Sequence, residues 1–202
     1  MEPFTTLTAV AAPLWQENID TDQIISAKEL MKPQKTGFGE GLFAGWRYLE
    51  GRTENPEFIL NRSPYRNAEI LVAGPNFGCG SSRENAVWAL RDFGIRAVIA
   101  PSFSSIFTAN CARNGVLVIS LAHDVVAALV DEIAPHQATM TVDLLGQRLR
   151  TPQGREIAFQ VPALEREMLL NGLDAIALTL SWSAEIDAFQ ARDHVARPWL
   201  WT

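Results

Sequence analysis

Along the middle of the chain, short apolar runs alternate with stretches whose large residues recur at helical spacing. Ile70-Leu71-Val72-Ala73 is an apolar run ended by Gly74-Pro75, the pattern of a buried strand. Ala86, Ala89, Leu90 and Phe93 then share one helical face, and Gly94 stands where a left-handed residue would end that helix. Ala97-Val98-Ile99-Ala100, stopped by Pro101, predicts a second buried strand. Ser102 can cap a helix carrying Phe103, Ile106, Phe107 and Asn110 on one side and ending at Asn114-Gly115. Val116-Leu117-Val118-Ile119 predicts a third strand, and Val126, Leu129, Val130 and Ile133 mark a third helix stopped by Pro135. Strands alternating with helices in this way imply βαβ units and a parallel sheet.

The flanks read differently. Phe4 to Val10 predicts a strand, and Asn18-Ile19-Asp20-Thr21-Asp22 supplies turn and cap residues. Lys35 to Gly45 holds Gly37, Gly39, Gly41 and Gly45, a density that predicts a mobile surface loop. Thr139 to Leu145, Gln147 to Thr151 and Glu156 to Val161 alternate with period two and predict short antiparallel strands. Pro162 to Leu170 and Ser183 to Arg192 predict C-terminal helices. The fold class is therefore α/β: a parallel sheet with helices plus a second, antiparallel layer, in one domain over residues 1–202.

Composition narrows the function. Hydrophobic residues at 48% and charged residues at 20% suit a packed protein. Seventeen Lys+Arg against 23 Asp+Glu give −6, which argues against a nucleic-acid binder with its basic stripe but allows a small anionic substrate. No apolar run approaches the roughly 18 to 20 residues of a membrane span, and no basic, apolar leader opens the chain, so a cytoplasmic protein is expected. Cys79 and Cys111 are too few for a disulfide scaffold or a thiolate cluster.

The chemistry concentrates in Asn76-Phe77-Gly78-Cys79-Gly80-Ser81-Ser82, between a predicted strand and a predicted helix. In open α/β sheets ligands bind at that end of the strands. Gly78 and Gly80 let backbone N–H groups approach a ligand, the helix start favours an anion, and Arg83 adds a planar fork suited to a carboxylate. A structural alternative competes: Ser81-Ser82-Arg83-Glu84 fits the S-x-x-E capping box, in which Ser81 and Glu84 would only close the helix end. Asp20 and Asp22 can likewise serve as turn or cap residues. Cys79 at a helix start could carry a reactive thiol, but no partner base is identifiable. Trp199 and Trp201 fit either the core or an apolar tail docking on a partner. No P-loop and no G-x-S-x-G elbow occurs, and His123, His136 and His194 are scattered.

Three segments taken together carry a resemblance. Asn18-Ile19-Asp20-Thr21-Asp22-Gln23-Ile24-Ile25, Asn76 through Glu84, and Ala97-Val98-Ile99-Ala100-Pro101-Ser102-Phe103 resemble the small subunit of 3-isopropylmalate dehydratase, the swivel-domain relative of aconitase. The likeness runs through Lys35-Thr36-Gly37-Phe38-Gly39 and Trp46-Arg47-Tyr48-Leu49 to Gly172-Leu173-Asp174. It implies a swivelling β/β/α fold and one half of a heterodimeric hydro-lyase in leucine biosynthesis. The partner it implies is a large subunit holding a 4Fe-4S cluster whose open iron polarises the departing hydroxyl, while this chain binds no cofactor or metal.

Carried over by residue, the resemblance makes Ser81 the general base, its alkoxide held by N–H groups of the glycine loop and the helix N-terminus. Ser82 would hydrogen-bond substrate or help hold the alkoxide, Arg83 would clamp a substrate carboxylate, and Gly80 and Thr21 would complete the substrate-binding set. Asp22 would act as a catalytic carboxylate orienting a group of the large subunit. Two positions depart from the family pattern: Asn85 replaces a histidine, and Ser26-Ala27-Lys28-Glu29-Leu30 follows Ile25 where a proline and an aromatic-bearing stretch are usual. The substrate implied is isopropylmalate. A related 2-hydroxy dicarboxylate (methylmalate, citraconate or homoaconitate type) and a non-catalytic carboxylate-binding module are the alternatives.

Overall fold

The first long strand organises the molecule because its two halves pair with different partners. The computed structural model describes residues 1–30, 36–134 and 136–201. In chain order these contain β1 (Thr6–Leu14), the helical turns α1 (Thr21–Ile24) and α2 (Ala44–Arg47), β2 (Ile70–Ala73), α3 (Asn85–Phe93) and β3 (Ala97–Ala100). There follow α4 (Ser105–Asn114), β4 (Leu117–Ser120), α5 (His123–Glu132), β5 (Thr139–Asp143), β6 (Arg148–Arg150), β7 (Glu156–Ala158), α6 (Ala163–Asn171), α7 (Ala175–Ser181) and α8 (Ser183–Ala196). Seven strands form one sheet in the order β4-β3-β2-β1-β5-β6-β7.

Thr6 to Val10 of β1 runs antiparallel to β5, whereas Ala11 to Leu14 runs parallel to β2. The parallel half, β1 to β4, has every residue of β2 and β3 buried, as expected for strands covered by helices on both faces. The antiparallel half, β5 to β7, alternates buried and exposed residues, with Met140, Val142 and Leu149 turned inward. Both halves feed one hydrophobic core cluster. The α/β class with parallel and antiparallel parts is thus the observed architecture.

Several boundaries differ from the sequence reading, each for a tertiary reason. β1 continues four residues past Val10, because β2 supplies parallel partners for Ala11 to Leu14 despite Pro13. Ser102 does not cap α4, which starts at Ser105 with Ser104 before it. The Ser102 hydroxyl instead accepts a hydrogen bond from Asn76 N–H at 2.9 Å. The Pro135 helix stop lies outside the described residues, as does Lys35 at the start of the glycine-rich stretch.

From Thr36 onward that stretch is anchored into the core rather than lying over it. Phe38, Leu42 and Phe43 are buried, and a Cβ on Gly39 would meet the α3 backbone at Asp92 and Phe93 at 2.8 Å. Glycine serves close approach to a helix there. At the other end of the chain, α7, α8 and the turn Pro198–Leu200 leave Ile176, Leu180, Phe189, Val195 and Trp199 exposed. Trp199 is not a core residue. No helix among the described residues is long and apolar enough to cross a membrane.

Candidate active site

Three chain segments leave the carboxyl ends of β1, β2 and β3 side by side and extend the parallel ladder by a few residues. Gly78 N–H donates to the Ile19 carbonyl at 2.7 Å and Thr21 N–H to the Cys79 carbonyl at 2.9 Å. On the other flank Phe77 N–H donates to the Ser102 carbonyl at 3.0 Å, and Ser104 N–H to the Phe77 carbonyl at 3.1 Å. Asn76 Nδ2 also donates to Asn18 Oδ1 at 2.8 Å. The loop is therefore stitched on both edges, which fixes a backbone that would otherwise be costly to order.

Its path needs glycine twice. Asn76, Gly78 and Gly80 all have φ between 60° and 89°, so left-handed residues alternate with ordinary ones. At Gly78 a Cβ would also lie 2.2 Å from the Phe107 ring, which packs between Phe77 and Phe103. Gly80 lies against Asp20 and Thr21. The zigzag lifts Ser81 and Ser82 out of the sheet end, where both are exposed, with Arg83 partly so.

The capping-box alternative for Ser81 is not what the chain forms. α3 begins at Asn85, and Glu84 precedes it with helical dihedrals and no side-chain cap. The Ser81 hydroxyl instead lies 2.8 Å from the Thr21 hydroxyl, and the Ser81 N–H donates to the same Thr21 Oγ1 at 3.2 Å. The helix start thus stands four residues beyond Ser81. Ser81's own N–H is turned to Thr21, and the Ser81 hydroxyl is paired with Thr21 Oγ1.

Asp20 and Asp22 divide the roles that the sequence left open. Asp20 caps α1 in a complete capping box, accepting from Gln23 N–H at 2.7 Å while Gln23 Oε1 accepts from Asp20 N–H at 2.8 Å. Asp22 is exposed and forms an ion pair with Arg83 through its Nη1. Thr21, only 2% exposed, sits beneath Ser81 rather than on the open face. Ser81, Arg83, Asp22, Ser82, Gly80 and Thr21 are thus brought to one place, with the two charges paired to each other.

Behind the loop lies a polar network that sequence reading missed. Asn114, 9% exposed, donates to Glu84 Oε1 and to the Asn110 carbonyl, both at 2.8 Å, and accepts from Trp88 Nε1 at 3.1 Å. Asn110 reaches the Ser82 carbonyl at 3.5 Å. The signal was faint: two asparagines one helical turn apart, on a face otherwise apolar. Asn114→Ala removes the hydrogen bonds to Trp88 Nε1 and Glu84 Oε1 and is expected to lower unfolding stability by about 2 kcal/mol, read from a denaturant midpoint.

Both departures from the expected motif are visible. Glu29 is engaged by Arg52 through two hydrogen bonds, at 2.9 and 3.3 Å, and packs over Gly41. Asn85 is the first residue of α3 and is half-buried. Among the described residues no group of three or more His, Cys, Asp and Glu side chains is placed to hold a metal ion. Burial pushes the Cys111 thiol well up.

Comparison with known proteins decides the family. The model of the aconitase C-terminal domain matches residues 1–124, and that of the C-terminal domain of the 3-isopropylmalate dehydratase small subunit matches residues 176–200. A Cupriavidus necator protein described as a 3-isopropylmalate dehydratase small subunit is 52% identical, over 99% of this chain and 98% of its own length. One of the same description from Rhodospirillum centenum is 54% identical over 98% of both chains. The chain belongs to the 3-isopropylmalate dehydratase small-subunit family.

A crystal structure of 3-isopropylmalate dehydratase from Methanocaldococcus jannaschii superposes with a TM-score of 0.65 at 28% identity, covering 93% of this chain and 99% of that one. The dehydratase small-subunit fold is therefore shared across nearly the whole length. The family's C-terminal match falls on α7, α8 and the turn after them, the stretch with the exposed apolar residues.

Proposed function

We propose that this chain is the small subunit of a hydro-lyase that interconverts 2-isopropylmalate and 3-isopropylmalate by dehydration and rehydration, in leucine biosynthesis, together with a large subunit. The single observation that carries this reading is near-full-length identity of about half to proteins so described, with the motif loop displayed at the strand ends. The 4Fe-4S cluster is assigned to the large subunit.

This chain's share of the chemistry is proton transfer and orientation. Ser81, as its alkoxide, takes the proton from the substrate carbon. The C–H pair becomes the second bond of the alkene, and hydroxide leaves the neighbouring carbon with its own pair. In rehydration the steps reverse with the two carbons exchanged. Arg83 offers its guanidinium to a substrate carboxylate, trading its bond to Asp22, and Ser82 supplies a further hydrogen bond.

An alkoxide base needs a site shielded from water, yet Ser81 and Ser82 are exposed here. Closure by a second chain would shield them, which supports assembly with the large subunit. The exposed apolar residues of α7 and α8, around an open cavity of about 540 Å³ lined by Trp182, Ile186, Phe189 and Trp201, support the same assembly.

The test is a substrate panel run with the large subunit and followed by the ultraviolet absorbance of the alkene. Isopropylmalate is expected to give the highest kcat/KM. A higher value for a methylmalate- or homoaconitate-type acid would move the assignment to a sister enzyme, and no turnover of any would leave only a binding module.

A further inference from the structure

We propose that Thr21 is the positioning residue that makes Ser81 a base, by donating its hydroxyl hydrogen to Ser81 Oγ. This inference rests on the reading of Ser81 as the proton acceptor. Its starting point is the direction of two hydrogen bonds. Ser81 N–H donates to Thr21 Oγ1 at 3.2 Å, so one acceptor site of that oxygen is taken. The two hydroxyl oxygens lie 2.8 Å apart. If Ser81 were the donor, Thr21 Oγ1 would accept twice while its own hydrogen pointed at nothing, for no third partner of that hydroxyl exists among the described residues. Donation from Thr21 to Ser81 satisfies both groups.

The surroundings fix that donor. Thr21 is 2% exposed and its N–H is held by the Cys79 carbonyl at 2.9 Å. Asp20 caps the helical turn it opens. A side chain at Gly80 would press on Asp20 Cβ at 3.3 Å and come into ordinary contact with Thr21 Oγ1 at 3.6 Å. A rigid, water-shielded O–H aimed at an oxygen that must carry negative charge stabilises the alkoxide over the alcohol. With α3 starting at Asn85, the donor that the structure places against Ser81 Oγ is this hydroxyl. Thr21 thus acts through Ser81 and meets no substrate.

The sign of the pH effect follows. Removing a donor to the anion raises the Ser81 pKa, so the active, deprotonated fraction at a given pH falls and is recovered at higher pH. In the complex with the large subunit, Thr21→Val is expected to lower kcat on isopropylmalate by about 10²-fold with KM nearly unchanged. The rising limb of kcat against pH is expected to move alkaline by roughly one to two units, the size of a lost hydrogen bond to an anion. Thr21→Ser keeps the hydroxyl and is expected to return the limb to its wild-type position.

Thr21→Ala carries the same test should the valine variant fail to assemble. A limb that stays in place in the variant lacking the hydroxyl, or one that serine fails to restore, overturns the role of Thr21. Ser81→Ala, run in parallel, separates the two levels. Wild-type activity in that variant refutes Ser81 as the base. A dead Ser81→Ala beside an unshifted Thr21 variant refutes only the donor.

Discussion

Ser81→Ala is expected to reduce turnover of the assembled enzyme by about 10³-fold or more, within the range that a positioned base supplies. The same change removes one hydrogen bond to Thr21 and is expected to lower stability by only about 1 kcal/mol. The contrast is the informative part. Had Ser81 been a helix cap, the loss would have been about 1 kcal/mol of stability with no particular loss of rate. Ser81 is exposed, its hydroxyl forms no bond to α3, and it sits at the tip of a loop held on both edges, so removal of the hydroxyl leaves the scaffold intact. Steady-state kinetics with the large subunit, beside a thermal melt of the isolated chain, read both quantities.

Gly78→Ala is expected to act in the opposite way, through folding. A Cβ at this position would lie 2.2 to 2.7 Å from three atoms of Phe107, close to the ring's attachment rather than its tip. Phe107 is itself 2% exposed, between Phe77 at 5.4 Å and Phe103 at 6.4 Å between ring centres, so it has no room to withdraw. The backbone at φ +72° adds the strain of a left-handed alanine. Overpacking and strain together suggest a loss of roughly 3 kcal/mol, or a fall in Tm of about 6 to 12 °C for a domain of this size. Because Gly78 N–H holds Ile19, the shift would also pull Thr21 from Ser81, and activity should fall with stability.

The parts of this molecule that were readable from sequence are those governed by local pattern. β2, α3, β3 and α4 appear where apolar runs, helical spacing and terminal glycines place them, with boundaries moved by a few residues. α7 was missed because Ile176, Leu178 and Leu180 alternate as strand residues do, and only Leu178 is buried. The second half of β1 was missed because Ala11-Ala12-Pro13 carries little strand preference, and parallel pairing with β2 overrides it. The loop motif and its residue types were legible, and so was the family. What Ser81 does with its hydroxyl was not, since the local competitor, Glu84, is three residues away and the actual partner, Thr21, is 60 away in sequence. The same holds for Asp22 with Arg83, which only the neighbouring ends of β1 and β2 bring together.

Proton removal itself can be watched without waiting for turnover to finish. Isopropylmalate carrying deuterium on the carbon that loses its proton is mixed with the large subunit and this chain, and loss of the label from that carbon, into water or onto the neighbouring carbon, is followed by mass spectrometry. Wild-type chain is expected to clear the label from that carbon, while Ser81→Ala, in a complex that still forms and still binds substrate, is expected to retain it there. Loss of the label in the alanine variant at the wild-type rate would contradict the account, because some other group would then be taking the proton.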